Sequence, residues 1–154
     1  MTNLATSYVL ILDTKTQRYV GTYPMTKSAF MESLSQKARN LDSNLSIVEL
    51  DAVDYWSVYL DPDNWTLSYD SAQNKYLLTL VWQGAMVTWF ETSHLSFGWD
   101  IHFRVWLENY LSLQGMMNTL DESLVYLKRR FLNKFLVGQS FTTPELQRYP
   151  TDCF

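Results

Sequence analysis

Few residues in this chain have types and spacing suited to chemistry. His94 and His102 flank Asp100, with Ser93 and Ser96 close by, so a serine–histidine–aspartate set can be assembled on paper. A triad is defined by its geometry, however, and proximity in sequence carries no weight. No G-x-S-x-G turn is present to strain and expose a nucleophile. His94 is expected in a loop and His102 on a helix face beside polar neighbours. Asp51 and Asp54 could act as general acid and base, but nothing apolar and fixed marks a setting that would drive their pKa values apart. Cys153, the single cysteine, is next to the last residue, where a frayed terminus would not preorganise a thiolate.

The search for ligands of other kinds ends in the same place. The five glycines are scattered near turns and element ends and build no phosphate loop. There is no H-E-x-x-H and no cysteine pair for zinc. Asp61-Pro62-Asp63-Asn64-Trp65 begins like a calcium loop. It then has Thr66 where glycine is required and Ala72 where a bidentate glutamate belongs. No catalytic residue, metal or cofactor is assigned.

Charge distribution is more informative. The chain carries 12 basic and 16 acidic residues, a formal net charge of −4. Between Asn40 and Asn74 the acids are Asp42, Glu49, Asp51, Asp54, Asp61, Asp63 and Asp70, with no lysine or arginine among them. Tyr55, Trp56, Tyr59, Trp65 and Tyr69 interleave with these carboxylates. Aspartate favours turns and aromatics favour the core, which accounts for most of the set. Tyrosine and tryptophan ringed by carboxylates also suit an interface aimed at a basic surface, with rings as anchors and acids steering the encounter. The expected partner-binding residues are Asp51, Asp54, Tyr55, Tyr59, Asp61, Asp63 and Trp65. The basic cluster Lys128-Arg129-Arg130 with Lys134 falls late in a helix, where cations complement the macrodipole. Direct nucleic-acid contact through it is not expected.

The elements that must position these groups follow from periodicity. Tyr8 to Leu12 and Tyr19 to Tyr23 read as a hairpin around a polar loop. Thr26 reads as an N-cap, with Met25 and Phe30 spaced as a hydrophobic staple, and residues 27–41 as an amphipathic helix. Leu45 to Leu50 and Tyr55 to Leu60 are weaker strand candidates. Trp65 to Asp70 alternates cleanly, Lys75 to Trp82 is apolar on both parities, and Gln83-Gly84 turns into Ala85 to Phe90. If Tyr55 to Leu60 is a strand, its two faces are both aromatic or apolar. The second must then be covered by more of this chain, a second copy or a partner.

Trp99, Phe103, Trp106, Tyr110 and Leu113 fall at helical spacing, opposite Asp100, Arg104 and Glu108. Thr119-Leu120-Asp121-Glu122 resembles a capping box opening a last helix striped by Leu120, Leu124, Leu127, Phe131 and Phe135. Gly138 sits at its C-terminal end, and residues 139–154 are expected to be irregular.

With 47% hydrophobic and 18% charged residues the chain can bury a core, which excludes a disordered class. No apolar run approaches the ~20 residues of a membrane helix, and the run Tyr8 to Leu12 is shorter than the ~7–15 residues of a signal-peptide core. One cysteine allows no internal disulfide, so a reducing, cytoplasmic setting is expected. The expected fold is a single α+β domain over residues 1–154. It has an antiparallel sheet of about five or six strands, packed by one early helix and a C-terminal helical pair.

The expected function is non-enzymatic: an acidic protein that binds and neutralises a protein with a basic surface, such as a nuclease or nucleic-acid-binding protein. In size, charge and lack of motifs the chain is similar to toxin-immunity proteins and phage-encoded inhibitors, a likeness of composition that covers no motif. The alternatives are a small enzyme or ligand-binding domain with an aromatic-lined pocket, its chemistry resting on His94, Asp100 or His102, and a self-associating structural subunit, as in a homodimer.

Overall fold

The computed structural model describes residues 5–37, 42–92 and 100–137. They form one α+β fold around a six-stranded, mostly antiparallel sheet. β1 (Ser7–Asp13) and β2 (Arg18–Tyr23) make the expected hairpin. Asp13 stabilises the turn, its Oδ1 accepting from the Lys15 amide at 2.9 Å. α1 (Lys27–Gln36) is capped by Thr26, whose Oγ1 accepts from the Ala29 amide at 3.1 Å. Ala38 and Leu41, expected to continue this helix, lie outside the described residues.

β3 (Leu45–Asp51) returns to pair with β1. α2 (Ala52–Leu60) follows directly, then a 3-10 turn (Pro62–Asn64). β4 (Trp65–Asp70), β5 (Lys75–Trp82) and β6 (Ala85–Thr92) form the meander. Its β5–β6 turn holds Gln83 at φ 54° and Gly84 at φ 77°, the two positive-φ positions of a tight hairpin turn. α3 (Asp100–Gln114) and α4 (Leu120–Leu132) complete the layer of helices, α4 running into a π-helical turn (Asn133–Val137).

The strand order is β3-β1-β2-β6-β5-β4. Two three-stranded antiparallel units meet where β2 runs parallel to β6, with Arg18 opposite Met86. The sequence reading held no parallel pair. Met86 donates its amide to the Gln17 carbonyl at 3.0 Å, and Tyr19 packs against Trp82 across the junction.

Strand alternation sends the two faces to different helices. On one face Val9 and Ile11 pack under α1 around Phe30, with Met25, Leu34, Leu45 and Ile47 at the rim. On the other, Leu78, Leu80, Trp65 and Leu67 lie under α2, α3 and α4, where Phe103, Trp106, Leu107, Leu127 and Phe131 close the larger core.

Two local expectations are corrected. Residues 55–60 are helix, not strand. The buried positions Ala52, Tyr55 and Val58 recur every three residues, and Asp51, in extended conformation, caps the helix by accepting from the Asp54 amide at 2.9 Å. Cap and packing together override the β-propensity of Tyr, Trp and Val, and the doubly apolar strand inferred from parity does not exist. The second correction is at Thr119, which lies at the N-cap of α4 without making a side-chain cap. Its Oγ1 instead donates to the Met116 carbonyl at 2.9 Å and accepts from Ser123 Oγ at 3.2 Å.

Candidate functional site

Five of the seven acids between Asn40 and Asn74 fall into two groups with different electrostatics. Asp61 and Asp63 sit on the 3-10 turn after α2, where Asp61 Oδ1 accepts the Asp63 amide at 2.9 Å. The end of α4 and the π-helical turn after it answer them. Arg130 Nη2 approaches Asp61 Oδ1 at 4.0 Å, and Lys134 hydrogen-bonds two carbonyls of the same turn region, Pro62 O at 2.6 Å and Trp65 O at 2.8 Å. Burial lowers the Lys134 pKa, opposed by the charges of Asp63 and Asp61. Two of the cations read as a basic cluster are therefore counter-charges for two of the acids.

The other group is at the corner where β3 turns into α2. Glu49, Asp51 and Asp54 are exposed there, and among the described residues no cation pairs with them. Repulsion between Asp51 and Asp54 raises the Asp54 carboxyl above its ordinary value, the charge of Asp51 being the chief cause. Glu49 belongs to the acidic stretch but was not among the expected partner-binding residues. Its signal was its place on the strand candidate immediately before Asp51.

The aromatic residues proposed as exposed anchors lie inward. Trp65 has 0% of its surface exposed. It stacks on Trp106 with ring centroids 5.0 Å apart, and its indole N–H donates to the Tyr59 carbonyl at 2.9 Å. Tyr55 is buried against Tyr8, stacked at 4.0 Å. Tyr59 is half-buried between Trp65 and Trp106. The hydroxyls of Tyr55 and Tyr59 lie 3.3 Å apart, and burial raises the pKa of both phenols. These rings fasten α2 to the sheet and to α3, and leave the carboxylates of the corner as its outward chemistry.

A cleft of about 400 Å³ opens between α2, α3 and α4, within the range of small-molecule sites. Leu60, Leu107, Leu111 and Leu127 form its floor, and the Asp61–Arg130 pair borders it. Two hydroxyls on its wall are already engaged: Ser57 Oγ donates to the Asp54 carbonyl at 2.8 Å, and Ser123 Oγ bonds to Thr119.

His102 is stacked on Phe90, centroids 4.1 Å apart, and burial lowers its pKa. It is therefore neutral at physiological pH. His94, Ser93, Ser96 and Cys153 lie outside the described residues. Among the described residues no group of three or more His, Cys, Asp or Glu could hold a metal ion, and no helix is long and apolar enough to cross a membrane. No family model, curated protein or solved structure matches the chain.

Proposed function

We infer that this chain is a binding protein whose acidic β3–α2 corner docks on a partner protein with a basic surface and neutralises it. The observation that carries the reading is the unequal treatment of the acids. Asp61 and Asp63 are met by Arg130 and Lys134, while Glu49, Asp51 and Asp54 stand exposed with no described counter-charge. Carboxylates left in that state cost stability through repulsion, and complementary charge across an interface offsets that cost and speeds encounter. Nucleases and other nucleic-acid-handling proteins present such a basic surface for phosphate, which a cluster of carboxylates can occupy in its place. An immunity protein or a phage-encoded inhibitor acts in this manner inside the cell.

The test is kinetic. The full chain is immobilised, its partner is captured from extract and identified, and association is followed at two salt concentrations. The triple variant Glu49→Gln, Asp51→Asn, Asp54→Asn should associate more slowly than wild type at low salt. The double variant Asp61→Asn, Asp63→Asn should not. Equal association rates for wild type and the triple variant would refute the acidic corner as the docking surface.

The cleft supports a second reading, a site for a small apolar ligand. Native mass spectrometry of the purified protein decides for it if one small molecule is retained stoichiometrically and lost on Leu111→Trp, which fills the floor.

A further inference from the structure

Among the described residues β3 is one edge of the sheet, hydrogen-bonded to β1 on a single side. Just beyond one end of this ladder the Ala52 amide donates to the Thr6 carbonyl at 2.9 Å, and just beyond the other the Thr14 amide donates to the Asn44 carbonyl at 2.8 Å. Between these bonds, seven residue pairs run antiparallel with no register shift. In such a ladder, pairs that exchange hydrogen bonds alternate with pairs that exchange none. The even-numbered residues Ser46, Val48 and Leu50 are thus bonded to β1, and the odd-numbered residues turn their backbone groups to the open side. Leu45 spends its amide on the Asp42 carbonyl at 3.0 Å. Both backbone groups of Ile47 and of Glu49 face outward, and no described group bonds to them.

An open edge of this kind is a template for another strand. Natural edges are blunted by shortness, a bulge, a proline or charged side chains, lysine above all, and the charges of β3 are the acids Glu49 and Asp51. β3 has seven residues, an unbroken register, and neither proline nor lysine. At the opposite edge, by contrast, the Lys134 ammonium occupies the carbonyl of Trp65 where β4 begins. The charged residues of β3 and of the first turn of α2 are Glu49, Asp51 and Asp54, all negative. Pairing with a second copy of this edge would double its negative charge, which disfavours self-pairing. A strand bearing cations meets the opposite situation.

We propose that β3 receives an extended basic segment of the partner as a seventh strand, bonded to the outward groups of Ile47 and Glu49. This rests on the acidic-corner reading and adds to it the mode of recognition. The segment's alternate side chains fall on opposite faces of the sheet. Those beside Glu49 and Asp51 are lysine or arginine, and those beside half-buried Val48 and Leu50 are apolar. The recognised chemistry is an alternating basic–apolar strand.

The probe is a synthetic peptide of alternating lysine and valine, with a twin methylated on its backbone nitrogens, which keeps the charge and loses the donors. Both are titrated onto the full chain and onto Glu49→Gln and Glu49→Pro. The two variants lose the same charge, but only proline removes the outward amide, at a position where an edge strand tolerates it. The unmethylated peptide should bind in a salt-sensitive manner and protect the Ile47 and Glu49 amides from hydrogen exchange. Methylation, or proline in place of glutamine at 49, should weaken binding by about tenfold, the order expected for one or two lost hydrogen bonds. Equal, salt-sensitive binding of both peptides overturns strand addition and leaves the acidic corner standing. Binding of neither at low salt overturns both. If Glu49→Pro does not fold, the twin peptides and the amide exchange decide alone.

Discussion

The Lys134 ammonium donates to the Pro62 carbonyl at 2.6 Å, joining residues 72 positions apart. A second bond from the same nitrogen, to the Trp65 carbonyl at 2.8 Å, fixes the turn between α2 and β4 against the end of the last helix. Asp61 and Asp63 thereby gain a nearby cation, which Glu49, Asp51 and Asp54 at the β3–α2 corner lack among the described residues. Removing this lysine is expected to loosen the turn and to free the two aspartates. Lys134→Met should lower stability by about 1.5–3 kcal/mol, the range for hydrogen bonds to a charged group. A denaturant midpoint unchanged from wild type would mean that the contact contributes nothing.

The two helix starts make a paired prediction. Asp51 caps α2 and Thr119 makes no cap at α4. Asp51→Ala should therefore cost about 0.5–2 kcal/mol, and Thr119→Ala distinctly less. Chemical denaturation of both variants checks the order. A larger loss at Thr119 would contradict the capping assignment.

Trp65 is a test of core against interface. It is fully buried between Tyr59, Phe90 and Trp106, so Trp65→Ala should destabilise the fold by about 3–5 kcal/mol, transfer and cavity contributions included. Its indole N–H bond to the Tyr59 carbonyl is lost as well. A variant with wild-type stability and altered partner dissociation would return Trp65 to the surface.

His102 makes stability depend on acid. Burial places its folded pKa below the ordinary value of 6.5, so under mildly acidic conditions the unfolded chain binds the proton first. Stability then rises with pH across the window just below 6.5 and is lost as pH falls through it. His102→Phe keeps the ring against Phe90 and removes the proton, and should flatten this part of the acid limb in thermal or denaturant melts. An identical limb in the variant would assign the effect to other groups.

Much of the fold was legible because it is local. The hairpin, the Thr26 cap, the alternation of β4, the Gln83-Gly84 turn and the stripe of the last helix are each decided within a few residues by periodicity and turn chemistry. What defeated the reading was α2. Tyr55, Trp56, Val58 and Tyr59 favour strands by propensity, and a short, largely apolar run of six residues imitates one. Only packing on Tyr8 and Trp106, together with the cap from Asp51, makes the helix the lower state. That single element moved Tyr55 inward and removed the supposed spare sheet face.

The sequence alone determined that the central segment is acidic, that the chain can bury a core, and that β-strands and helices are both present. Tertiary structure alone decided which carboxylates remain unanswered. Arg130 and Lys134 reach Asp61 and the Pro62 carbonyl from about seventy residues away, and no local pattern encodes that approach. The open side of β3 is likewise a property of strand order, because an edge exists only once every other strand has found its neighbour. Charge is written residue by residue, whereas its neutralisation depends on distance in space.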